Sequence, residues 1–109
     1  MSARMKGASN LVQILLPAYY PNGKAIPRSI YAAERQKLSD RFGGMTAYMQ
    51  APAMGLWKQG SKTIRDKIVV FEIMVERVDR KWWNSYRHKL EKHFKQKTIV
   101  IRVQKVRLL

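Results

Sequence analysis

Apolar residues recur along this chain with two different periods, and their order predicts an architecture. Runs of β-branched, aliphatic and aromatic residues at Leu11–Leu16, Thr46–Gln50, Ile68–Val75 and Thr98–Val103 read as strands, the last continuing toward Val106. Two other stretches carry apolar residues at helical spacing. The first holds Ile30, Tyr31, Leu38 and Phe42, and the second Trp82, Trp83, Tyr86, Leu90, His93 and Phe94. The punctuation agrees with this division. Pro17 stops the first strand, and Pro21-Asn22-Gly23 reads as a turn. Pro27 suits a first helical turn, because the N–H it lacks would be unsatisfied there anyway. Gly43-Gly44 supplies a left-handed helix stop. Asp79 is placed to accept from the free N–H groups at the start of the second helix. Ala51 to Lys62, with Pro52, Gly55 and Gly60, reads as a long loop.

The resulting order, β-α-β-β-α-β, predicts an α+β fold. Two β-α-β halves with right-handed crossovers build a ferredoxin-like plait, a four-stranded antiparallel sheet with two helices on one face. At 109 residues a single domain is expected, over residues 10–109, following a flexible basic N-terminus at 1–9. Strand alternation sends Val12, Ile14, Leu16, Val69, Phe71, Ile73, Val75, Ile99, Ile101 and Val103 toward the helices. The open face then carries Leu11, Leu15, Val70, Met74 and Val100 around Gln13, Glu72 and Arg102. That mixture is too apolar for a solvated face and too charged for a core. It predicts a homodimer packed through the open sheet face, with Glu72 and Arg102 as a cross-sheet pair.

Charge changes the picture. Twenty-two Lys and Arg against 7 Asp and Glu give a net charge of +15, which draws polyanions to the surface. Residues 92–109 contain six cations and no acid, and the outer face of the second helix adds more. The leading expectation is a non-enzymatic basic binding module that grips nucleic acid backbone or an acidic protein surface. The residues expected to do so are Lys81, Arg87, Lys92, Lys95, Lys97, Arg102, Lys105 and Arg107. A structural subunit of a larger nucleoprotein assembly fits the same charge. Cysteine is absent, which excludes disulfides and thiolate metal sites. The run Leu11–Leu16 is too short for a membrane span and no apolar leader precedes it, so a soluble cytoplasmic protein is expected.

No catalytic signature stands out, and no cofactor or metal is implied. His88 and His93 are five residues apart and point to different sides of their helix. Glu34 falls within the apolar face of the first helix, where a carboxylate must pair with a cation such as Arg65, reach water, or serve as an acid or base. Trp57, in the loop beside Met54, Leu56 and Lys58, has no core pattern to satisfy; it either stacks on a ligand ring or closes the dimer interface. The competing expectation is therefore a small-ligand-binding protein or small enzyme, with a pocket under the 51–64 loop. Gln13, Tyr48, Trp57, Arg65 and Glu72 would line it, Arg65 clamping an anionic group and Glu72 acting as acid or base.

The stretch Arg41-Phe-Gly-Gly-Met-Thr46, then Gly55-Leu-Trp57, Gly60, Arg65, the strand to Val75 and Phe94-Lys-Gln96, resembles an uncharacterised family of small bacterial single-domain proteins. The resemblance implies a plait fold and supplies no activity. RNA-recognition motifs carry aromatics on the open face of the first and third strands, where this chain has Gln13, Val70 and Glu72. Small CRISPR-associated plait nucleases carry an Asp at the end of the first strand, where this chain has Leu16-Pro-Ala-Tyr-Tyr20. Plait monooxygenases, which lack a sequence signature, stay open.

Overall fold

Six elements follow one another in the predicted order: β1 (Asn10–Pro17), α1 (Arg28–Phe42), β2 (Thr46–Gln50), β3 (Ile68–Val75), α2 (Arg80–His93) and β4 (Val100–Lys105). The strands form one antiparallel sheet in the order β2-β3-β1-β4, the arrangement of an α+β plait. The computed structural model describes residues 9–50 and 67–109; residues 1–8 of the predicted basic N-terminus, the 51–64 loop with Trp57, and Arg65 lie outside the described residues. Among the described residues, no helix is long and apolar enough to cross a membrane.

Alternation along the central strands positions the core. Val12, Ile14 and Leu16 of β1 and Phe71, Ile73 and Val75 of β3 are buried, packed with Leu38 of α1 and Trp83, Tyr86 and Leu90 of α2. Both helices thus cover the same face of the sheet, as expected. Asp79 caps α2 by accepting from the Trp82 N–H at 3.1 Å. Gly43 ends α1 at φ 78°, where its N–H bonds the Ser39 carbonyl, a conformation that a side chain would strain. The two tryptophans serve packing. Trp83 stacks on Phe42 at 5.3 Å, and Trp82 stacks on Tyr86 at 4.9 Å, with the Arg41 guanidinium 4.2 Å from the centre of the Trp82 ring.

Four sequence expectations shift, each for a local reason. Strand β4 begins at Val100 rather than Thr98, because the Ile99 N–H donates to the Glu91 carboxylate at 3.1 Å instead of joining the ladder. Val103, expected inward, is 47% exposed; β4 is an edge strand and Val103 lies near its far end. Val70 is fully buried although its register with Leu15 and Tyr48 puts it on the open face. His93, expected on the apolar stripe, keeps a side chain that is 39% exposed at the last turn of α2.

Candidate functional site

A cross-strand row of polar side chains occupies the open face. Register places Gln13 directly opposite Glu72 on one side and Arg102 on the other, while Thr46 of β2 faces Glu72 and Tyr48 lies two residues further along. Adjacent strands bring such same-face side chains within about 5.5 Å, close enough for direct bonds. Arg102 Nε donates to Gln13 Oε1 at 2.8 Å, and Gln13 Nε2 donates to Glu72 Oε2 at 2.6 Å. The Tyr48 hydroxyl donates to the same Glu72 Oε2 at 2.9 Å. The expected Glu72–Arg102 pair is therefore relayed through the Gln13 amide, whose orientation is fixed by an acceptor demand on one side and a donor demand on the other.

The row leaves one group open. Both donors converge on Glu72 Oε2, and Oε1 accepts no hydrogen bond among the described residues. The Glu72 carboxylate also pushes the Tyr48 phenol above its ordinary pKa, chiefly by accepting its hydrogen bond, with Arg102 pulling weakly the other way. Tyr48 is thus held as a neutral donor. Glu72 stands as a half-buried acceptor within the otherwise apolar patch of Leu11, Leu15 and Met74.

A cavity of about 570 Å³ lies on the other side of the β2–β3 edge, against α1. Ile26, Val69 and Phe71 form its apolar floor, and Arg28, Arg35 and Lys67 supply cations. Tyr48 belongs to both places, lining the cavity and bonding Glu72. The sequence reading missed this cavity, although a signal existed. Arg28, Tyr31 and Arg35 are spaced three and four apart, so they share one helix stripe.

A second carboxylate is buried between the helices. Glu34 is 3% exposed, accepting from the Tyr86 hydroxyl on Oε1 at 2.9 Å and meeting His93 Nδ1 on Oε2 at 2.6 Å. Lys37 Nζ stands 4.0 Å away. Burial and the Glu34 charge both push the Tyr86 phenol well above its ordinary pKa. His93 and Tyr86 are its hydrogen-bond partners among the described residues; Arg65, suggested by sequence, lies outside them. Among the described residues, no group of three or more His, Asp or Glu could hold a metal ion.

Of the eight cations expected to grip a polyanion, Lys81, Arg87 and Lys92 lie on α2, Lys95 and Lys97 follow it, and Arg102, Lys105 and Arg107 lie on or just after β4. Lys81 and Lys92 are exposed on α2, whereas Arg87 is tied to Glu91 at 3.1 Å. Lys95 holds its ammonium 5.2 Å from the Tyr20 ring centre, and Lys97, Lys105 and Arg107 are exposed near β4. Arg102 joins the Gln13–Glu72 row, on the sheet face turned away from the helices. Of the five residues of the competing pocket, Gln13, Tyr48 and Glu72 are hydrogen-bonded together. Trp57 and Arg65 are outside the described residues.

No protein-family model matches the chain, and no curated protein matches it. Solved structures do. A phage SAM lyase in complex with S-methyl-5'-thioadenosine superposes with a TM-score of 0.62 at 12% identity, covering 96% of this chain and 87% of that one. The apo state of a phage SAM lyase gives a TM-score of 0.54 at 11% identity, covering 96% and 86%. At such identity the likeness shows a shared fold. It nevertheless overturns the leading expectation of a non-enzymatic nucleic-acid-binding module, because the fold is shared over nearly the whole chain with a phage SAM lyase seen in complex with S-methyl-5'-thioadenosine.

Proposed function

We propose that this protein is a small enzyme that acts on S-adenosylmethionine and releases S-methyl-5'-thioadenosine, with the Glu72 row as its reaction site. The observation that carries the reading is the open Glu72 carboxylate oxygen on a fold shared with a phage SAM lyase. The substrate brings a sulfonium and an ammonium against one carboxylate, a net charge of about +1, so a positioned carboxylate is the complementary group. The substrate's own carboxylate oxygen forms a bond to the carbon that the sulfur leaves, closing a lactone, while the carbon–sulfur bonding pair goes to sulfur and the sulfonium becomes a neutral thioether. Neither water nor an oxidant is needed for that. The enzyme's task is to orient the cation and exclude solvent, and pre-oriented hydrogen bonds do this at no cost during the reaction. Tyr48 and Gln13 fix the Glu72 carboxylate, and Arg102 fixes Gln13.

The homodimer contact belongs to the same face. Val100 is 51% exposed beside the row, and Leu11, Leu15 and Met74 are half-buried around it. A second sheet laid over them would remove water from Glu72 and strengthen its hold on a cation. Light scattering is expected to give more than one chain per particle, and a single monomeric mass at working concentration contradicts the contact.

Incubation of the purified protein with S-adenosylmethionine, followed by chromatography, is expected to yield S-methyl-5'-thioadenosine in proportion to enzyme and time. Thermal stabilisation by S-adenosylmethionine without product would instead make it a ligand-binding protein. Absence of both removes the reading.

A further inference from the structure

We infer that the cavity against α1 is a second binding site, taking an anionic aromatic ligand of the nucleoside-phosphate class. The inference goes beyond the sulfonium reading and does not rest on it. The cavity measures about 570 Å³, within the range that encloses a drug-sized ligand. Its floor of Ile26, Val69 and Phe71 is apolar and offers nothing to a bare phosphate but a surface for a planar ring. Tyr31 adds an aromatic wall. Its hydroxyl is committed to the Pro17 carbonyl, and its phenol is pushed up to about 12 by burial and by Tyr20, so it stays neutral.

The charges set the ligand's sign. Arg28, Arg35 and Lys67 come from two separate segments, and no Asp or Glu lines the cavity among the described residues. Arg28 and Arg35 lie two helical turns apart on one stripe, on the order of 10 Å along the axis. A ring on the floor would place a phosphate attached to it within reach of the guanidinium groups, whose planar forks match phosphate oxygens. All three cations are exposed, so a ligand enters without unpacking the core. The same field repels S-adenosylmethionine, which separates this cavity from the Glu72 row in ligand charge. Among the described residues, Tyr48 is the side chain that touches both.

Isothermal titration with adenosine 5'-monophosphate, adenosine and inorganic phosphate tests the assignment. Adenosine monophosphate is expected to bind saturably at one site per chain, at least tenfold tighter than either adenosine or phosphate alone. Arg35→Glu and Lys67→Glu, both at exposed positions, are expected to weaken it tenfold or more while leaving the circular dichroism melt unchanged. Lys81→Glu with Lys92→Glu, far away on α2, controls for attraction to the net charge and is expected to change binding less than twofold. Glu72→Gln is expected to leave binding intact. The assignment is overturned by absence of saturable binding, by adenosine binding equally well, by the α2 reversals weakening binding as much as the cavity reversals, or by Glu72→Gln abolishing it. None of these results depends on turnover of S-adenosylmethionine.

Discussion

Glu34 and Glu72 are both carboxylates that accept a tyrosine hydroxyl at 2.9 Å, yet the molecule uses them in opposite ways. Glu34 spends its two oxygens on two partners, Tyr86 and His93, and is closed off between the helices. Glu72 receives Tyr48 and Gln13 on a single oxygen, and among the described residues its other oxygen accepts no hydrogen bond on the sheet face turned away from the helices. A carboxylate whose oxygens are both taken at 3% exposure has nothing left for a ligand; its bonds lock α1 to α2. A carboxylate oriented through one oxygen presents the other at a fixed position. Orientation without saturation distinguishes a candidate site from a structural contact.

Substitution at each carboxylate should separate the two roles. Glu72→Gln keeps the shape and removes the charge, and is expected to lower product formation from S-adenosylmethionine by about 10³-fold or more, on the scale of losing a central electrostatic group. Its melting temperature should stay within a degree or two of the parent, because the position is not part of the core. Glu34→Ala should do the reverse. It strands the Tyr86 hydroxyl and the His93 ring, and is expected to cost about 3 kcal/mol in denaturant unfolding. Activity per folded molecule should be unchanged. Equal effects of the two substitutions on the same readout would erase the distinction.

A smaller effect is expected at Tyr48→Phe, which deletes one of the two donors fixing Glu72. A loss of about tenfold in kcat, with little change in melting, would sharpen the positioning role. Smaller still is the response to salt. A +15 chain repels a substrate of net charge +1, so raising ionic strength from about 20 to 200 mM is expected to increase kcat/KM two- to threefold. A nucleic-acid module would lose affinity over the same range.

The buried phenols give the pH response of the helix side. Tyr31 is raised to about 12 and Tyr86 is raised in the same direction, whereas both release their protons near 10 when unfolded. Below pH 10 both states keep these protons and the full stability is present. Above it the unfolded chain releases them first, so stability falls as pH rises through the folded values. Tyr86→Phe is expected to flatten that alkaline decline, measured as unfolding midpoint against pH.

The fold was legible because periodicity and punctuation agree. The alternation of β1 and β3, the Asp79 cap and the Gly43 stop all lie where the sequence puts them. Gln13, Tyr48 and Glu72 were also legible as neighbours, since two-residue alternation assigns faces even when the loops are unknown. What charge counting suggested was misleading. A sum over the chain cannot see that Arg102 turns into a hydrogen-bonded row, that Arg87 is held by Glu91, or that Lys95 sits over Tyr20. The Glu34 partners were hidden for a different reason: Tyr86 and His93 are 52 and 59 residues away, and only the packing of α1 against α2 brings them together.

A crystal structure with S-methyl-5'-thioadenosine bound would test the central claim most directly. The account predicts the ligand on the open sheet face, with a polar atom within about 3.2 Å of Glu72 Oε1. A ligand seated instead in the cavity against α1, with the Glu72 row untouched, would contradict it.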